Sequence, residues 1–173
     1  MSAANQRVQA AFGERTVEQL AAALACDDED LVEAACDALA TLWSLEGTNR
    51  RSLGQGETLA LLMRLGREPG RPQLPAVKAL RYGALDNVIN QNRMLAAGVV
   101  RVLLPLVHHS GSSELRQQAV GALLSFDMRA SIPSFSVELK ANDARNILLL
   151  ALRVCTPLLQ HRLLRLYKIA VGA

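Results

Sequence analysis

Aromatic side chains are scarce in this 173-residue chain, which carries three Phe, two Tyr and one Trp. A core without them has to be built from Leu, Ala and Val. That mixture favours helices, because strands draw on aromatic and β-branched residues while Leu and Ala rank among the best helix formers. Long apolar runs are missing too. The longest, Ile147 to Leu159, is interrupted by Arg153 and Pro157 and falls short of the roughly 20 residues a helix needs to cross a bilayer. Nor does charge of one sign dominate. Nineteen Lys and Arg against 16 Asp and Glu leave a net +3, too balanced to predict nucleic-acid or membrane binding from charge alone. Cysteine is limited to Cys26, Cys36 and Cys155. An odd number cannot all pair, and no charged-then-apolar leader precedes them, so the expected setting is reducing, intracellular and cytoplasmic.

Catalytic and cofactor motifs are thin. Gly54-Gln55-Gly56 lacks the third glycine, the preceding strand and the distal acid of a dinucleotide fingerprint, and no Gly-Lys-Ser/Thr phosphate loop exists. His108-His109 is the only histidine pair, and it falls in an expected turn with no cysteine or carboxylate at ligand spacing. Cys26 and Cys36 read as small thiols, Cys36 on the apolar face of a helix. The acidic run Asp27-Asp28-Glu29-Asp30 reads as a cap before a helix N-terminus. No catalytic residue, metal site or cofactor is assigned, and the chain is expected not to be an enzyme.

What is present is helical periodicity with matching punctuation. The pattern predicts helices over Ala3 to Phe12, Thr16 to Ala25, Leu31 to Leu45 behind an Asp30/Glu33 pair, and Glu57 to Leu65. Further helices are expected from Pro75 to about Ile89, Asn92 to Ala97, Val99 to Val107, Glu114 to Phe126, Asp143 to Cys155, and Pro157 to Ala170. Residues 127–142, with Ser131, Pro133, Ser134 and Ser136, read as an irregular loop or arm. No segment alternates with period two, so the expected class is all-α in one domain.

Sliding the chain on itself aligns Leu31, Ala38, Leu39 and Leu42 with Val77, Ala84, Leu85 and Val88, then with Leu115, Ala122, Leu123 and Phe126. Fixed self-similarity of this kind marks a solenoid. Cycles fall at about 16–56, 57–98 and 99–142, followed by a terminal helical pair at 143–173. The segment Ala84-Leu85-Asp86-Asn87, then Asn92 to Val100 and Leu103 to Val107, resembles the armadillo repeat. HEAT-like hairpins compete for the same pattern. The resemblance implies a short right-handed α-solenoid that binds an extended peptide or another protein on the concave face of its third helices. It places Asp37, Thr41, Arg81, Asn87, Gln117 and Ser125 along that groove. Asn87 matches the asparagine that clamps a peptide backbone in the nuclear-import members. The tryptophan that partners it there is absent, so recognition of a nuclear localisation signal is not expected.

The last helix adds a basic stripe, Arg162, Arg165 and Lys168. Other sides of that helix carry Leu158, Leu164, Tyr167 and Val171, an apolar edge suited to a partner. The expectation is a non-enzymatic scaffold or adaptor, possible as a small subunit of a larger assembly such as a ciliary axoneme. The alternatives are a chaperone cofactor that promotes nucleotide exchange on an Hsp70, or a basic-edge binder of nucleic acid or a membrane surface.

Overall fold

The computed structural model describes residues 16, 18–45, 57–109, 111–127, 132–153 and 155–172. Among them every regular element is helical and no strand occurs. The expected helix at Ala3 to Phe12 and the glycine turn at 47–56 lie outside the described residues. The elements are α1 (described over 18–24), α2 (Glu29–Leu45), α3 (Thr58–Arg67), α4 (Gln73–Ala84) and α5 (Val88–Ala96), followed by α6 (Val99–His109), α7 (Ser113–Leu124), α8 (Ile132–Ala141), α9 (Ala144–Leu152) and α10 (Pro157–Val171).

Local chemistry sets most of these boundaries. Asp28, rather than Asp30, caps α2: its carboxylate accepts the backbone N–H of Asp30 at 3.0 Å and of Leu31 at 3.2 Å. Free N–H groups at a helix start need such an acceptor, and a cap of this kind is worth about 1 kcal/mol. The helix that begins near Pro75 ends at Ala84 and does not run on to Ile89. Asp86 turns into the left-handed region at φ 53°, and Asn87 starts α5 by accepting the N–H of Asn90 at 3.1 Å. Ser112 caps α7 in the same way through the N–H of Leu115. His108 and His109 belong to α6 rather than to a turn.

The expectation of an irregular segment at 127–142 is overturned, because α8 occupies most of it. Ser and Pro at its start fit the first helical turn, where a proline costs no hydrogen bond. The apolar anchors Phe135 and Leu139, four residues apart, are both buried. The Phe135 ring packs on Phe126 with centroids 5.6 Å apart at a tilt of 38°, and the Ser136 hydroxyl donates to the carbonyl of Ile169 at 3.1 Å. Burying an aromatic ring of this size is worth roughly 1.5–3 kcal/mol, enough to commit a serine-rich stretch to helix.

Packing runs along two ranks. In one, α2 packs on α4, α4 on α7 and α7 on α10; in the other, α3 packs on α6 and α6 on α9. Between ranks α3 touches α4, α6 touches α7, and α9 touches α10, while α5 and α8 lie against each other. One apolar cluster fills the space between, dominated by Leu, Ala and Val with Trp43, Phe126 and Phe135 as its largest members.

Candidate functional site

The rank α2–α4–α7–α10 presents one open face, and residue spacing explains it. Counted from the first residue of each helix, the second, sixth and ninth places lie within one turn-spaced stripe. They are Asp30, Ala34 and Asp37 in α2; Leu74, Lys78 and Arg81 in α4; Glu114, Gln118 and Gly121 in α7; and Leu158, Arg162 and Arg165 in α10. All are exposed or half-buried except Gly121. Gly121 is covered by Arg81, whose guanidinium crosses from α4 to α7.

That crossing depends on the missing side chain. A Cβ on Gly121 would sit 2.8 Å from Arg81 Nε and 3.0 Å from its Cζ, inside contact distance. Arg81 Nη1 then donates to Gln118 Oε1 at 2.8 Å, and its guanidinium carbon stands 5.5 Å from the Tyr82 ring centre. In the sequence alignment Arg81 took the place of Ala35 and Ala119. The helix starts correct that register: α4 is shifted by two residues, so Arg81 shares its place with Asp37 and Gly121. The aligned spine is accordingly not one buried stripe, since Leu31, Ala38 and Leu85 are exposed.

Each step along the rank is crossed by an ion pair. Arg71, in the turn before α4, pairs with Asp30 and, at 2.7 Å, with Glu33 of α2, while its N–H donates to Glu29. The Asp30 hydrogen bond and the Glu33 charge hold that guanidinium more firmly protonated than usual. Lys78 meets Glu114 at 2.9 Å between α4 and α7, and Arg165 of α10 meets Asp127 beyond the end of α7. The exposed Arg71–Asp30 pair adds little stability; together the pairs fix which carboxylates and cations remain available.

The residues expected to line a groove separate into two groups. Asp37, Thr41 and Gln117 are exposed and Arg81 is half-buried; the Thr41 hydroxyl donates to the Asp37 carbonyl at 2.8 Å. Asn87 instead spends its side-chain oxygen on the cap of α5. Ser125 is buried, its hydroxyl donating to the Gly121 carbonyl at 3.1 Å. In the basic stripe Arg162 and Lys168 are exposed, and Arg165 is engaged by Asp127.

Two polar residues that sequence reasoning passed over tie this rank to α5. Buried Gln91 donates to the carbonyls of Ala84 and Ser125, each at 2.9 Å, joining the ends of α4 and α7. Buried Asn90 donates to the Gly83 carbonyl at 2.9 Å. Carbonyls at helix ends lack intrahelical partners, so amides placed under them meet a standing need. The signal was the run Asn90-Gln91-Asn92 just ahead of Met94 and Leu95: polar residues entering an apolar stretch.

Cys36 is buried in α2, where desolvation, reinforced by the charges of Asp37 and Glu33, pushes its thiol up to about 12. Cys26 is exposed, and all three cysteines are free thiols. Among the described residues no group of three or more His, Cys, Asp or Glu is placed to hold a metal ion, and no helix is long and apolar enough to cross a membrane. An open groove of about 580 Å³ lies between α5 and α8, lined by Asn92, Pro133 and Val137 among others, and one of about 480 Å³ flanks α3. Compared with protein-family models and with curated proteins, the sequence matches none.

Proposed function

We propose that the chain is a short right-handed armadillo-type α-solenoid serving as a non-enzymatic protein-binding scaffold. Its partner segment lies along the shared open face of α2, α4, α7 and α10. The observation that supports this is the recurrence of the second, sixth and ninth places as an accessible, mixed polar stripe on four successively packed helices.

The face suits a polypeptide better than a small molecule. It is long, open and composed of separated hydrogen-bonding groups rather than a closed pocket with converging ones. Within the stripe Asp37 supplies a carboxylate and Arg81 a guanidinium near the half-buried Tyr82 ring at one margin, while Gln117 at the other margin adds an amide with donors and acceptor. Tyr and Arg are the residue types that carry binding energy at protein interfaces. Because Asn87 is committed to a helix cap, backbone recognition falls to Gln117 and Gln118 rather than to an asparagine clamp.

Affinity capture from the native source tests this, with wild-type protein beside Asp37→Arg/Gln117→Arg and, as control, Arg145→Glu on exposed α9. The expected result is loss of a reproducible partner by the first variant alone, with its helical circular dichroism unchanged. Equal capture by all three contradicts the reading.

A further inference from the structure

Among the described helices, the two ends of the rank expose apolar residues in two places, the third and the eighth, that are buried in the other helices of the rank. The third residue of each helix is Leu31 in α2, Pro75 in α4, Leu115 in α7 and Leu159 in α10. It is buried in the three helices that have a preceding described neighbour in the rank and is 44% exposed in α2. The tenth residue follows in part: Ala122 and Leu166 are buried, Tyr82 of α4 is half-buried, and Ala38 is exposed. The eighth residue behaves in the opposite sense: Cys36, Leu80 and Val120 are buried in the helices that have a following neighbour, and Leu164 of α10 is 47% exposed. Val171, one turn-pair beyond Leu164, is exposed too. Helical stacks ordinarily close each end with a polar face for solubility. These ends instead expose Leu31 and Ala38 on α2 and Leu164 and Val171 on α10, in complementary places.

Charge follows the same logic. Between α4 and α7 the sixth residue of the earlier helix, Lys78, pairs with the second residue of the later one, Glu114. At the ends, the sixth residue of α10 is Arg162 and the second of α2 is Asp30. α2 carries acids and no base, while α10 carries bases and no acid.

We infer that copies of this chain stack head to tail, α10 of one against α2 of the next. Leu164 and Val171 cover Leu31 and Ala38, and Arg162 meets Asp30, which it shares with Arg71. The contact continues the rank across the junction with the spacing used inside it. It is heterologous, so it propagates into rows or closes into rings rather than stopping at a two-fold dimer. One helix-on-helix junction is small beside a stable interface, so assembly is weak and depends on concentration. The inference stands on the packing of the rank and not on the partner-binding reading.

Sedimentation velocity of the full chain over a rising concentration series, at low and high salt, tests it. Wild-type protein is expected to sediment faster as concentration rises, and less so in high salt, where the ion pair is screened. Leu164→Asp, Leu31→Asp, Arg162→Glu and Asp30→Lys each weaken association by about tenfold or more, with helical circular dichroism retained. An equimolar mixture of the Arg162→Glu and Asp30→Lys chains regains association that neither shows alone. Wild-type protein that stays monomeric throughout overturns the inference. So does association that is lost in the α10 variants yet untouched by Leu31→Asp and Asp30→Lys, which would mark an α10-to-α10 contact or a different occupant of that edge.

Discussion

Leu80 and Leu164 are both the eighth residue of a helix in the same rank, yet Leu80 is 1% exposed and Leu164 is 47% exposed. The difference lies in the neighbours rather than in the helices. α4 is followed by α7, whereas no described helix follows α10 in the rank. Burial here is a property of place in the stack, which is why the middle of the rank reads as core and its described ends as exposed surface.

The comparison breaks most visibly by truncation at that shared place. Leu80→Ala is expected to cost about 2–5 kcal/mol, the lost transfer energy plus a cavity. Leu164→Ala in dilute protein is expected to stay within about 0.5 kcal/mol, as surface changes do. Urea unfolding of the two variants measures both, and equal losses would erase the distinction between middle and end.

A smaller effect sharpens the account of the α4–α7 step. Gly121→Ala places a methyl against the flexible Arg81 guanidinium and displaces it, while Ala favours the helix by about 0.5–1 kcal/mol, so the net change is expected to stay within about 1 kcal/mol. In an Arg81→Ala background the same change is expected to stabilise, because no side chain has to be displaced. Thermal unfolding of the two single variants and the double variant gives the coupling directly.

A further test concerns Cys36, the same eighth place in α2. Below the ordinary thiol value of 9.0, folded and unfolded chains both keep the proton, so stability does not respond. Between there and about 12 the unfolded chain releases its proton while the folded one retains it. Stability therefore falls as pH rises through that window. Urea midpoints at pH 9 and pH 11 are expected to drop more for wild-type protein than for Cys36→Ala. In alkylation at pH 8 the exposed Cys26 reacts and Cys36 does so only on unfolding.

Much of the helix content was legible because caps, glycines and prolines act within a few residues of themselves. Thr156 with Pro157 is such a local signal, and α10 starts where it falls; the Ser112 cap, which starts α7 one residue ahead of the expected Glu114, is of the same local kind. What was not legible depended on partners distant in sequence. The serine-rich stretch before Ala141 became α8 because Phe135 found Phe126. Ser125 was assigned to an open face through the armadillo resemblance; it is buried, and Gln91 of α5 donates to its backbone carbonyl. Arg81 stood out in sequence as a break in a small-residue column. Helix starts move it into the column of Asp37 and Gly121, a two-residue correction that loop length had hidden. The open face itself was legible only in outline: its spacing follows from helical periodicity, while its usable groups depend on which side chains the neighbours consume.

The central claim is that a partner lies along the face shared by α2, α4, α7 and α10. Covalent footprinting of the captured complex against the free chain tests it most directly. The account predicts reduced labelling at Asp37, Tyr82 and Glu114, with Val137 on α8 and Arg145 on α9 unchanged. Unchanged labelling at the first three together with protection at Val137 or Arg145 would contradict it.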